Sequence, residues 1–206
     1  MTFPFPVIPA AAGIKKITFA SANSSATPGS SFTFSGQTIG RGKYLVIGAY
    51  GASSSSRTWG GVTVNGNAAS VVVASALALG FAGIAIIAHP GVATATIVAS
   101  ASGASDRAAI VVWTIDNISS ATPVVTGGSM TTSGPLVWCA VAGNNGTGSL
   151  TATWSQGNED VDTTWDGGRT YTGASALDAN GFSAETITCT MSGSTTNPAI
   201  AVAGWR

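Results

Sequence analysis

AASVVVASALALGFAGIAIIA, residues 68–88, carries no charge and is long enough to cross a bilayer, for which roughly 20 apolar residues suffice. Two features of the same letters read against a span. The nearest basic residues, Arg57 and Arg107, lie well away from both ends, so no flanking charge sets an orientation. The β-branched clusters Val71–Val73 and Ile84–Ile87 stand on either side of Gly80 and Gly83, where a chain reversing between two strands needs a turn. The stretch is therefore expected to be a buried β-hairpin with Gly80 and Gly83 permitting the reversal. No membrane partner is expected.

The same punctuation continues outward in both directions. Strand candidates before the hairpin are 14–20, 31–34, 43–50 and 62–64, and the hairpin itself supplies 69–74 and 82–88. After it come 93–100, 108–115, 124–126, 136–142, 149–154, 170–176, 185–191 and 199–205. Asn65-Gly66-Asn67, His89-Pro90-Gly91, 102–106, 144–148 and 179–181 carry turn chemistry, and Val62-Thr63-Val64-Asn65-Gly66-Asn67 reads as a strand entering a tight hairpin. No amphipathic helical stretch of ten residues interrupts the series. A length of 206 fits one all-β sandwich, since such domains commonly run to roughly 200–250 residues. The expected organisation is an extended N-terminal arm over 1–13 and a single antiparallel β-sandwich domain over 14–206.

Composition limits the chemistry. Ala, Ser, Thr and Gly make up more than half of the residues, against eight Lys+Arg, eight Asp+Glu and one His. A formal net charge of zero creates no field to gather phosphates or anionic lipid. Nucleic acid is therefore not an expected partner. The opening MTFPFPVIPAAAGIKK lacks a basic leading region, and Pro4, Pro6 and Pro9 break any apolar helix, so it reads as an extended arm rather than a signal peptide. Phe3, Phe5, Val7 and Ile8 of that arm must find apolar cover elsewhere and are the candidate assembly residues.

Few constellations could carry reactions. Glu159, Asp160, Asp162 and Asp166 crowd one segment, yet their spacing matches no calcium loop, and solvated acids on an exposed hairpin are the expected outcome. As paired glycosidase carboxylates they would need a cleft of fixed width. Trp154, Trp165 and Tyr171 bracket the acids; Trp165 and Tyr171 are the candidate glycan contacts, against the alternative that these rings fill loop bases or subunit contacts. Trp59, Trp113, Trp138 and Trp205 lie in framework runs and are expected in the core. His89 has no second histidine to share a metal, and a triad could use only Asp106 or Asp116 with no nucleophile elbow present. Cys139 and Cys189 sit in strand-like runs and are expected as free buried thiols, a bridge remaining open if their strands adjoin. No catalytic residue, cofactor or metal is expected.

Several segments occur together in a familiar order. TrpGlyGlyValThrValAsnGlyAsnAlaAla (59–69) precedes AlaGlyIleAlaIleIleAlaHisProGlyValAlaThrAlaThrIleValAlaSer (82–100). AlaAlaIleValValTrpThrIleAspAsnIleSerSerAlaThrPro (108–123), LeuValTrpCysAlaValAla (136–142) and AlaIleAlaValAlaGlyTrpArg (199–206) follow. The pattern resembles the jelly-roll-like β-sandwich modules of tailed-phage virion proteins, such as head decorations, spikes and tail-associated fibres; the long 155–182 region departs from it. The resemblance implies a jelly-roll sandwich and a non-enzymatic structural component of a bacteriophage or phage-like virion, assembled in the host cytoplasm. Its partners would be other virion proteins and copies of itself in a homo-oligomer. The alternative is a carbohydrate-binding module of a phage fibre or bacterial surface protein, with a host surface glycan as partner.

Overall fold

The computed structural model describes residues 13–77, 80–127, 129–130, 134–144, 150–165, 169–179, 185–192 and 199–206. Strands are numbered along the chain. A central sheet runs β1 (Lys16–Ser25), β9 (Arg107–Asp116), β3 (Tyr44–Ala52), β7 (Gly80–Ala88), β6 (Ser70–Leu77). A front sheet runs β2 (Gly29–Thr38), β8 (Thr94–Ser105), β4 (Trp59–Val64), β5 (Asn67–Ala68). A back sheet runs β10 (Val125–Thr126), β18 (Ala199–Trp205), β12 (Leu136–Asn144), β15 (Arg169–Asp178), β14 (Asn158–Trp165). Two short ladders complete the set: β11 (Ser129–Met130) with β16 (Glu185–Thr186), and β13 (Ala152–Trp154) with β17 (Cys189–Met191). Every pairing is antiparallel, and the chain is an all-β sandwich.

The sandwich has a third layer that the jelly-roll picture does not include. Alternate residues of β3 face opposite ways: Leu45, Ile47 and Ala49 enter a core with Phe32, Phe34, Val62 and Ile97 of the front sheet. Val46 and Tyr50 enter a second core with Val137, Val141, Tyr171 and Trp205 of the back sheet. The central strands are thus buried on both faces, which is why their sequences are continuous apolar runs rather than alternating ones. The outer face of the back sheet is covered in turn, Trp138 and Val202, with Val125 of the same sheet, by Ile187, and Ala142 by Leu150, Cys189 and Met191.

The decisive stretch is a hairpin. β6 and β7 pair from Ser70↔Ile86 to Leu77↔Gly80, and no helix among the described residues is long and apolar enough to cross a membrane. The reversal falls between Leu77 and Gly80, so the expected turn role of Gly80 and Gly83 is corrected. Both glycines are needed for close approach instead. A Cβ at Gly83 would collide with the Trp59 ring from the front sheet, and one at Gly80 with the Gly51 carbonyl of β3. The Asn65-Gly66 hairpin lies where the sequence places it: both residues have positive φ (49° and 82°), and Val64 pairs with Asn67. The turn expected over 102–106 contracts to Asp106, because β8 continues to Ser105.

In the central and back sheets edges and interiors differ in register. Their interior pairs β3–β7, β3–β9, β12–β15 and β12–β18 run without a shift, whereas in the front sheet the interior pair β4–β8 shifts between Trp59 and Gly61. Each long edge strand carries one extra residue opposite its neighbour: Ala20 in β1, Val72 in β6 and Asp160 in β14, with a wider irregularity between Phe34 and Gln37 of β2. Such bulges bend an edge and disrupt the ladder that a further strand would extend.

Candidate functional site

The arm residues Phe3, Phe5, Val7 and Ile8 lie outside the described residues, and the description starts at Gly13. There the chain is held: Asn117 Nδ2 donates to the Ile14 carbonyl at 2.7 Å, and Asn117 itself has a positive φ of 57°. Of the two candidate glycan contacts, Trp165 ends β14, paired with Arg169. Tyr171 is 4 % exposed in the core between central and back sheets, so its ring presents no face for a sugar to stack on. Burial also raises its phenol above the ordinary range. The reason is register, since Tyr171 sits on β15 between β12 and β14, opposite Gly143 and Thr163.

The acidic segment is the edge strand of the β14–β15 hairpin, with Glu159 and Asp162 exposed and Asp160 half-buried. Its bulge splits the acids. Asp160 turns inward with Val161 and accepts the indole N–H of the fully buried Trp113 at 2.7 Å, bridging back and central sheets. Burial raises the Asp160 carboxyl above its usual range, and hydrogen bonds from Ser175 and Trp113 offset only part of that. Asp162 turns the other way and accepts from the Ala152 main-chain N–H at 3.0 Å. Asp166 lies outside the described residues. Among the described residues no three of His, Cys, Asp and Glu come together as a metal would require.

The remaining candidates are also tied into the frame. Cys139 faces the core between central and back sheets, whereas Cys189 lies under the outer cover of the back sheet, so the two free thiols occupy opposite faces of one layer. Burial pushes both thiols up, Cys189 to about 12, far from thiolate chemistry. Asp116 accepts the Lys43 main-chain N–H at 2.7 Å, and Asp106 lies 3.9 Å from Arg169. His89 Nδ1 accepts the Gly91 N–H at 3.1 Å, while Nε2 faces the Ile39 carbonyl at 3.4 Å. That arrangement assigns the proton to Nε2 and commits both nitrogens to main chain. Trp59, Trp113, Trp138 and Trp205 are buried as expected.

One of these braces, His89, borders a concave site. The β2–β3 and β7–β8 connections, both crossing between front and central sheets, enclose a cleft of about 670 Å³ lined by Thr38, Arg41, His89, Val92 and the glycines 40, 42 and 91. Sequence reasoning missed it. The available signal was Gly40-Arg41-Gly42, a cation between two glycines in a strand connection, but only the fold brings it beside His89-Pro90-Gly91. Comparison of the chain with known protein families, characterised proteins and solved structures finds no match.

Proposed function

We propose that the protein is a non-enzymatic structural component of a bacteriophage or phage-like virion, a capsid decoration, spike or tail-associated protein that acts through subunit assembly. The observation that carries this reading is the employment of its scarce ionisable groups. Asp160 holds Trp113, Asp162 holds Ala152, Asp116 holds Lys43, and His89 reaches from its own turn to the Ile39 carbonyl beside the other. Groups spent as braces are poor acids, bases and ligands, because their lone pairs and protons are already engaged. What reaches solvent is mostly uncharged, such as Ser31, Thr33 and Ser35 along β2, and a nearly neutral surface opposes association weakly.

The arm supplies the natural device for contact between copies. In an extended chain, Pro4 and Pro6 fall on one edge, where they present no N–H, while Phe3, Phe5 and Val7 keep theirs on the other. Such a segment can join a sheet along one side only. The test is deletion of residues 2–12. The shortened chain is expected to fold with an unchanged β spectrum and to be missing from purified particles; incorporation at full occupancy would overturn the arm's role. The carbohydrate-binding alternative loses Tyr171 to the core and rests on Trp165.

A further inference from the structure

We propose that the cleft between residues 38–42 and 89–93 is a binding site for a small organic ligand carrying a single carboxylate, anchored by Arg41. The inference does not depend on the virion reading. Of the five arginines, Arg57 donates to the Ser56 and Ala104 carbonyls, Arg169 lies by Asp106, and Arg107 and Arg206 are engaged as well. Arg41 has no partner among the described residues and lines the cleft. With the other four guanidinium groups engaged, this one is left facing solvent beside a cavity. The main-chain N–H groups of Gly40, Arg41 and Gly42 likewise take no partner among the described residues. A fork of guanidinium donors next to free amides is the arrangement that receives a carboxylate.

The walls are set before any ligand arrives. Ile39 N–H donates to the Ala93 carbonyl at 3.1 Å and His89 N–H to the Lys43 carbonyl at 3.0 Å, so the two connections are stitched together. The His89 ring adds a third tie across, from Nε2 to the Ile39 carbonyl at 3.4 Å, with Nδ1 held by the Gly91 N–H of its own connection, making it a positioning residue. Binding then orders little that is loose, which is where much affinity is otherwise lost. The volume falls within the range of small-molecule sites, roughly 300–1,000 Å³. No carboxylate lines the cleft; Asp116, which braces Lys43 nearby, has an oxygen committed to that N–H, and the Lys43 ammonium lies over the Tyr44 ring at 5.3 Å. One cation suits one negative charge, and exposed Val92 with Ala93 offers an apolar wall for the ligand's body.

Amide NMR titration of the full chain tests this with four probes: galacturonate and galactose, and one short peptide with a free or an amidated C-terminus. Shifts confined to residues 38–42 and 91–93 are expected with the acid of one pair and absent with its neutral counterpart, and the pair that responds identifies the carboxylate's source. Arg41→Gln is expected to weaken the response at least tenfold, and Arg41→Lys, which keeps charge without the fork, to weaken it less. Arg41 is exposed, so unchanged shifts elsewhere in the spectrum establish that the variants remain folded. No localised shift with either acid at about 10 mM, a range that detects even millimolar affinity, would overturn the proposal. Equal shifts from the neutral probes, or an undiminished response in Arg41→Gln, would do the same.

Discussion

The two cores on either side of the central sheet are built by different rules. The front core holds Phe32, Phe34, Leu45, Ile47, Phe81 and Ile97 and contains no titratable side chain; its one indole, Trp59, is buried with no partner for its Nε1 among the described residues. The back core places polar handles on its rings. Trp113 donates to Asp160 and Trp205 to the Ala121 carbonyl at 2.9 Å, and Tyr50, Tyr171 and Cys139 all lie within it. Hydrocarbon fixes the first interface by shape, through Gly83, which receives Trp59 of the front sheet, while Gly51 makes room for the Phe81 ring of its own sheet. The second is fixed by shape and by directed bonds, which penalise any shift that leaves a donor unmet. The lesson is that one sheet can be docked by two separable mechanisms, and that pH reaches only one of them.

The contrast can be broken most violently at Ile86, which is 2 % exposed in the back core. Ile86→Asp places an unpaired charge there, at a cost on the order of 5 kcal/mol or more, and is expected to yield no cooperative thermal melt. A normal melt would overturn the hairpin's burial. Next in size is Phe32→Ala in the front core, where the loss of a buried ring costs about 3–5 kcal/mol. Because that core titrates nowhere, denaturant curves should give the same loss at acid and neutral pH; a loss that changes with pH would erase the distinction between the cores.

Asp160 gives the smallest and most diagnostic effect. Asp160→Ala strands the Trp113 N–H and should cost about 1–3 kcal/mol, whereas Asp160→Asn keeps an acceptor and should cost less. The pH dependence of the wild-type contribution has a definite sign. Burial raises the folded-state carboxyl above its ordinary 3.8, so the folded chain holds this proton more tightly than the unfolded one. Its penalty is complete above the raised value, shrinks as pH falls through the window, and is gone below the ordinary one. The stability of wild type minus that of Asp160→Asn should therefore decline from acid to neutral pH. A difference that grows with pH would mean that the Trp113 and Ser175 hydrogen bonds outweigh burial.

Most strands were legible because strand length, β-branching and turn residues are local signals. The continuous run of β3, Tyr44–Ala52, and the alternation of β2 with Phe32 and Phe34 both point to sheet, but neither says how many layers will stack. That is decided by pairings far apart in the chain, such as β1 with β9 and β12 with β18. β14 escaped notice for a related reason. Glu159, Asp160 and Asp162 depress strand propensity, and only a bulge that sends Asp160 to a buried indole reconciles them with an edge. Glycines misled in the opposite direction, since Gly83 looks like a turn residue until Trp59 arrives from another sheet. The cleft was illegible because its two walls are some fifty residues apart in sequence.

The extra residues in β1, β6 and β14 bear on how such a chain can be crowded. Most proteins keep apart at high concentration by like charge, which this one, at net zero, does not have. Open sheet margins rich in Val, Ser and Thr would then invite runaway stacking of the fibrillar kind, in which every backbone group must meet an in-register partner. One surplus residue in each of these three edge strands denies that registry at the cost of a local kink. Colloidal restraint is here a matter of counting along the backbone, so removing Val72, which would straighten β6 without altering its charge, is where uncontrolled fibre growth would begin.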